Sequence, residues 1–409
     1  MTVHLLNTDK FKTVSIVVKF KAPLNRHTMS ERALLSKLIQ KTSAKYPDDQ
    51  SMMNHLAHLY GAHLYSHVIK QNNAHILTVG IDIINDKFLD KEDLLEKAFQ
   101  LLNEVIFSPN IENDAFKHEL IAIEQHLFRN KYEAIKENLG QYGFYQLLKA
   151  MFQDEAMQLP GFGDIDHLET ISGEAIFQCY QDMLNNDEIQ LYVVGDVDEL
   201  RINRLTAQYL NFSNNMINLQ PTALKTIEAT QIIIEQIDTQ QARINMGYQF
   251  KVTHPEQSYF AFIVLNQIFG GDPSSLLFTN VREKLSLAYQ IHSQIDARSG
   301  MLYVLSGVNL DKREQAIDTI QAEFEQLKNG TFDDQLLQTA KRMLINQKKE
   351  SLDRPKGFIE VEFSNTFGEY VSEAMWIEGI QSVTKEDVIQ VAQTGILHTV
   401  YCLTSEGEA

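Results

Sequence analysis

Four histidines, His55, His58, His63 and His67, fall within the run HLAHLYGAHLYSH, a concentration of imidazoles that could bind a divalent metal. His55 and His58 are three residues apart and would share one helical face, and imidazole is a standard zinc ligand. Zinc also needs a complete, oriented ligand set, and no carboxylate or cysteine stands at ligand spacing beside this run. These four are read as surface and turn histidines. Ser382 and Lys385 have the spacing of a serine nucleophile with a lysine base. No further motif supports that pair, and Thr384 with Asp387 reads more simply as a helix cap. Gly140 and Gly143 lack both the lysine and the preceding strand of a phosphate loop; Tyr142, Phe144 and Tyr145 beside them read as helix-packing surface. No nucleophile–base constellation for an independent hydrolase is present.

The chain has 409 residues, 44% of them hydrophobic and 22% charged. These are ordinary proportions for a globular protein, and the length allows two or more domains with substantial cores. The net charge of −18 disfavours non-specific binding to nucleic acid or to anionic membranes, whose phosphates it would repel. Two cysteines, Cys179 and Cys402, make no disulfide framework in so long a chain, which points to a reducing compartment. The first residues carry neither a basic region nor an apolar run of the signal-peptide kind, and no charge-free stretch reaches membrane-spanning length. The expectation is a cytoplasmic protein.

The elements that would position any site occur twice. Val14, Ile16, Val18 and Phe20 alternate with Ser15, Val17, Lys19 and Lys21, the period of a half-buried strand. Ile244, Met246, Tyr248 and Phe250 alternate in the same way. Each strand leads through a short turn into an apolar helical pattern. The first helix has Thr28 and Glu31 at capping-box spacing; the second runs from about Glu256 to Phe269 and stops at Gly270-Gly271. Further strands are expected at 76–84, 190–197 and 301–308, and helices at 87–106, 113–139 and 312–328. The polar stretch 211–230 reads as a linker. Two such layouts of about 200 residues favour an internal duplication. The division drawn is 1–212, a linker 213–230, and 231–409, each half an α+β domain with a mainly antiparallel sheet backed by helices.

The strand, the helix Thr28-Met-Ser-Glu-Arg-Ala-Leu-Leu-Ser-Lys and the turn Lys45-Tyr46-Pro47 resemble the opening of the insulinase-type (pitrilysin, M16) zinc peptidases. A second stretch, Phe269-Gly270-Gly271-Asp272-Pro273-Ser274-Ser275-Leu276-Leu277-Phe278 followed by Val281-Arg282-Glu283-Lys284-Leu285-Ser286-Leu287-Ala288-Tyr289, is similar to that family's "GG…SSRLF…REKLGLAY". It departs at Leu277, where arginine is common, and at Ser286, where glycine is. Gln190 to Val197 resembles the family's "VVGDV" strand. The resemblance covers nearly the whole chain and implies the paired M16 (LuxS/MPP-like) domains.

In that family the first helix carries His-x-x-Glu-His, which falls here on Ala33, Leu34, Leu35, Ser36 and Lys37. A methyl, a hydroxyl and an ammonium replace two imidazoles and the general base. Alanine has no lone pair and a protonated lysine repels a divalent cation. The family's third ligand, a later glutamate, matches Glu124, and a lone carboxylate does not hold zinc. No metal and no cofactor are therefore expected, and Glu124 reads as a vestige or a solvated helix residue. The family's Arg/Tyr pair, which reaches toward substrate, falls on Arg282 and Tyr289. Two readings stand for these: donors to a substrate carbonyl that develops negative charge, or an ion-paired arginine with a core tyrosine.

The resemblance implies a non-catalytic subunit of a heterodimeric peptidase, acting on peptides with a zinc-motif-bearing M16 homologue. The alternative is a self-associating peptide-binding or scaffold protein. Within the family, "KFKT", "LYGA" and "KYP" place the resemblance nearest the zinc-motif-lacking proteins of Gram-positive bacteria associated with elongation factor P modification.

Overall fold

The computed structural model describes residues 1–89, 93–213, 215–220 and 223–405. The strands of the first unit are β1 (Thr2–Asn7), β2 (Thr13–Pro23), β3 (His63–Gln71), β4 (Ala74–Ile84) and β7 (Glu188–Gly195), with a two-residue hairpin of β5 (Ile111–Glu112) and β6 (Ala115–Phe116) apart from the main sheet. The main sheet has the order β1-β7-β2-β4-β3. Only β1 and β7 run parallel; β2 pairs antiparallel with both β4 and β7, placing Val18 opposite Val79 and Leu191. The helices Arg26–Lys41, Leu94–Phe107 and Gly173–Asn186 contribute buried apolar side chains to the same unit.

The second unit repeats this plan. Its strands are β8 (Gln231–Gln236), β9 (Ala242–Gln249), β10 (Ala288–Asp296), β11 (Met301–Val308) and β12 (Ile396–Thr404), ordered β10-β11-β9-β12-β8. Again, among the described residues, the only parallel pair is the short opening strand with the last one, β8 with β12. Identical order and identical parallel pairing are what an internal duplication produces.

The units are not consecutive halves of the chain. Unit one comprises 1–133, 159–221 and 351–364; unit two comprises 134–158, 222–350 and 365–409. Each sheet thus takes a helix from the other half of the sequence. In unit two, Leu139–Met151 lies on the face bearing Tyr303, Tyr401 and Leu403, and Tyr142 donates to Glu235 at 2.8 Å. In unit one, Pro355–Ser364 brings Glu360 to 2.8 Å from Lys19 and Phe363 under the same ammonium. Strand β2 is therefore buried on both faces rather than on one, and Lys19 and Lys21 lie inside, Lys21 paired with Glu188 at 2.7 Å.

Four local expectations change. Asn25, not Thr28, caps the first helix, accepting from the His27 N–H, and Glu31 instead meets His167 at 2.8 Å. Asn113 and Asp114 take positive φ and turn the β5–β6 hairpin, so the next helix starts only at His118. The second opening helix is α-helical over Gln257–Asn266, then widens into a π-helical turn, Gln267–Gly271, before stopping. The expected helix at 87–106 begins at Leu94, after a 3-10 turn at Asp86–Phe88, and its 90–92 lie outside the described residues, as do 214, 221 and 222 of the linker. Thr384 and Asp387 form the expected reciprocal cap.

Candidate functional site

Ala33 and Ser36 are fully buried on the inner face of Arg26–Lys41, and the Ser36 hydroxyl donates back to the Ala33 carbonyl at 2.8 Å. Lys37 donates to the Ser66 carbonyl of β3 at 2.9 Å. Burial pushes its ammonium below the ordinary lysine range; Glu124 opposes that, and Lys131 and Lys41 add to it. Glu124, on the helix His118–Glu137, is only 3% exposed, and Lys41 meets it at 2.5 Å. The expectation of a solvated Glu124 is thus corrected. Its buried carboxylate is compensated by a lysine ammonium, as a buried charge must be. Among the described residues no group of three or more His, Cys, Asp or Glu is placed to hold a metal ion.

Gln40, one turn beyond Ser36, accepts from the Ser66 N–H and donates to the Leu64 carbonyl (3.3 and 3.4 Å). With Lys37 it ties the helix to the outer side of β3. Sequence reasoning missed this role, and it also missed Arg32. That guanidinium is buried, donating to Asp187 at 2.7 Å, to the Phe20 carbonyl at 2.9 Å and to His75 Nδ1 at 3.2 Å. The signal was there: Arg32 lies on the face of Met29, Ala33 and Ser36, where an exposed charge has no place.

The histidine run is divided between two elements. His55 stacks on Tyr46 and His58 faces the Asn54 carbonyl, both on Asp49–His58, while His63 and His67 flank the Tyr65 ring on β3. Ser382 donates to the Gly379 carbonyl and Lys385 to the Phe332 carbonyl, so the two do not pair.

In unit two, Gly270 lies so close to Ser293 and Leu277 that a Cβ would not fit. Asp272 then accepts from the Ser274 N–H and hydroxyl, both at 2.6 Å, which fixes the turn into a second π-helical segment, Leu277–Lys284. Arg282 projects from that segment with its guanidinium 4.3 Å from the centre of the Phe278 ring. No carboxylate lies within ion-pair distance of it among the described residues. Tyr289, the second residue of β10, is 57% exposed and donates to Asn309 at 2.7 Å. Neither side chain is spent in an ion pair or in the core. The connecting Ser286 has φ +50°, a backbone conformation that explains why glycine suits this position.

No helix among the described residues is long and apolar enough to cross a membrane. A family model described as the Peptidase M16 inactive domain matches residues 170–344. The chain is 33% identical over 407 residues to the "Probable inactive metalloprotease YmfF" of Bacillus subtilis (strain 168), covering 98% of this chain and 95% of that protein. It is 24% identical to the "Uncharacterized zinc protease YmxG" of the same organism, over 63% of this chain and 61% of that one. Among solved structures, a conserved protein from Enterococcus faecalis V583 superposes with a TM-score of 0.90 at 31% identity, covering 100% of this chain and 97% of that one. A protease from Helicobacter pylori shares the fold at 15% identity, with a TM-score of 0.79 over 98% and 96% of the two chains. With its ligand helix occupied by alanine, serine and lysine, this chain belongs to the M16 peptidase family, as one of its inactive metalloprotease homologues.

Proposed function

We propose that the chain is the non-catalytic subunit of a cytoplasmic heterodimeric M16 peptidase, lending Arg282 and Tyr289 to a zinc-bearing partner that cleaves peptides. The observation that carries this reading is the contrast between the two motif-bearing places. The ligand positions are internally satisfied by Lys37, Lys41 and Glu124, whereas a guanidinium and a phenol stand exposed on the second unit. Donors of this kind stabilise negative charge on a carbonyl oxygen during hydrolysis and need no metal on their own chain.

The test is reconstitution with the zinc-motif homologue from the same organism and measurement of peptide turnover at matched complex concentration. Arg282→Ala and Tyr289→Phe should each lower turnover about a hundredfold, equivalent to roughly 3 kcal/mol, with folding and association unchanged. Unchanged turnover in both variants would remove the reading. A second reading, self-association as a scaffold, is favoured by Ile232 and Ile234, which are 66% and 46% exposed on the outermost strand β8. Exposed isoleucines on an edge strand invite pairing, and sedimentation of the chain alone as a dimer would support it.

A further inference from the structure

Matching rows cross the two sheets near the ends of their opening strands. In unit one the row is Leu6, Val194, Ser15, Asp82 and His63. In unit two it is Glu235, Leu403, Arg243, Gly307 and Gln290. The first row satisfies itself: the Ser15 hydroxyl donates to Asp82, and His63 lies 3.6 Å from the same carboxylate. In the second, a guanidinium stands where the hydroxyl does and a glycine where the carboxylate does. A Cβ on Gly307 would lie 2.2 Å from Arg243 Nη1 and 3.5 Å from Gln290 Cγ, so these two side chains meet over a bare α-carbon. The next row adds His292 and Asn245 to the same face, Asn245 lying against Gly143 of the helix Leu139–Met151.

Among the described residues, none of the side chains of Arg243, Asn245, Gln290 and His292 has a hydrogen-bond or ion-pair partner. Gln290 and His292 are exposed, whereas Arg243 Nε and Asn245 Nδ2 are buried donors with nothing to donate to. Buried donors are normally paired, and buried charges more strictly so. The one acid of the row, Glu235, is taken by Tyr142 and Tyr401. We propose that Arg243, with Gln290 beside it, binds a carboxylate ligand, so that the acid which unit one carries as Asp82 reaches unit two from outside the chain. A guanidinium fork matches the two oxygens of a carboxylate, and the Gln290 amide supplies a further donor. One free cation on a chain of net charge −18 suits a monoanion better than a doubly charged phosphate. The carboxylate belongs either to a small organic acid or to the C-terminus of a peptide; the chemistry at Arg243 is the same. The site uses neither Arg282 nor Tyr289 and stands apart from the peptidase reading.

The probes are acetate and acetyl-tetraalanine with a free C-terminus, titrated into the full chain and followed by saturation-transfer NMR on their methyl signals. Both should bind. The C-terminal amide of the peptide should bind at least about tenfold more weakly than the acid, because it cannot form the charged pair. Tighter binding of the peptide acid than of acetate assigns the site to peptide ends; equal binding assigns it to small acids. Arg243→Gln should weaken both probes by a similar factor, and Arg243→Lys should recover only part of it, since an ammonium has no fork. Gly307→Asp is the sharper variant. The atom its Cβ meets is the end of a flexible arginine, which can shift, and the new carboxylate should occupy Arg243 as Asp82 occupies Ser15. It should raise the denaturant midpoint and abolish binding, and adding Arg243→Gln should remove that rise. Absence of binding, equal binding of acid and amide, or binding untouched by Arg243→Gln or by Gly307→Asp would overturn the proposal. So would inorganic phosphate, added as a competitor, binding more tightly than the carboxylates.

Discussion

The helix Arg26–Lys41 and the helical run Gln257–Gly271 occupy corresponding places beneath sheets of the same strand order, yet their chemistry is opposite. The first buries Arg32 and Ser36 among its leucines and reaches β3 with Lys37 and Gln40. The second buries Phe260, Phe262, Val264, Leu265, Ile268 and Phe269 and meets β10 through Gly270 and through Asn266, whose Oδ1 accepts from the Ser293 hydroxyl at 2.8 Å. A helix that presents polar groups to an edge strand can satisfy that strand's backbone. In the second unit the contact is made to the Ser293 hydroxyl rather than to backbone groups of the strand. Loss of zinc ligands thus did not simply empty the first unit; it left a polar network that holds the unit together and seals it.

If that network holds the first unit, breaking its centre should give the largest effect. Arg32→Ala would leave the Asp187 carboxylate buried beside nothing but its own helix end, a loss of about 3–5 kcal/mol. Arg282→Ala, on the exposed side of the second unit, should change stability by no more than about 0.5 kcal/mol. Urea unfolding of both variants measures this, and equal losses would mean that the two units are held alike.

Acid should discriminate next. His75 Nδ1 accepts from Arg32 and its Nε2 faces the Gly161 carbonyl at 2.8 Å, an arrangement that suits the neutral ring. Burial first, and Arg32 second, push its pKa down to about 3. The unfolded chain holds this proton near pH 6.5 and the folded chain does not, so the unfolded state binds more protons between those values. The stabilisation is whole above about pH 6.5 and is lost as the pH falls toward 3. Its full extent is on the order of 5 kcal/mol. Melting temperatures of the wild type should drop over that window, and His75→Gln should flatten the drop. A slope unchanged in the variant would assign the acid sensitivity elsewhere.

Much of this plan was legible in the sequence. Both strand–helix openings, β11 and the Thr384 cap follow from local period and spacing, while the degenerate ligand positions were given only by the family resemblance. What was not legible depends on contacts made at a distance. The alternation in β2 says that Lys19 faces away from the leucines, but only the arrival of Glu360 from the helix Pro355–Ser364 makes that second face an interior one. Periodicity shows that Leu139–Met151 has an apolar side; it does not say which sheet receives it. Gln40 is an ordinary helical glutamine until β3 lies beside it. The Thr28–Glu31 spacing lost to Asn25 because the helix begins three residues earlier and Glu31 finds His167.

The smallest expected effect concerns the loop that joins Arg282 to Tyr289 and so sets where β10 begins. Ser286 adopts φ +50° there, a region that costs a residue with a Cβ about 1–2 kcal/mol and glycine almost nothing. Ser286→Gly would remove that strain but would enlarge the entropy of the unfolded chain, by roughly 0.5–1 kcal/mol. The two terms nearly cancel, leaving a net gain of about 0.5 kcal/mol. Ser286→Val keeps the strain and adds a branch at Cβ, so it should cost about 1–2 kcal/mol and displace the start of β10. Denaturant midpoints of the two variants should therefore move in opposite directions. If both variants unfolded like the wild type, the loop would have no part in setting where β10 begins. The contrast between the two units would then rest on Lys37 and Gln40 alone.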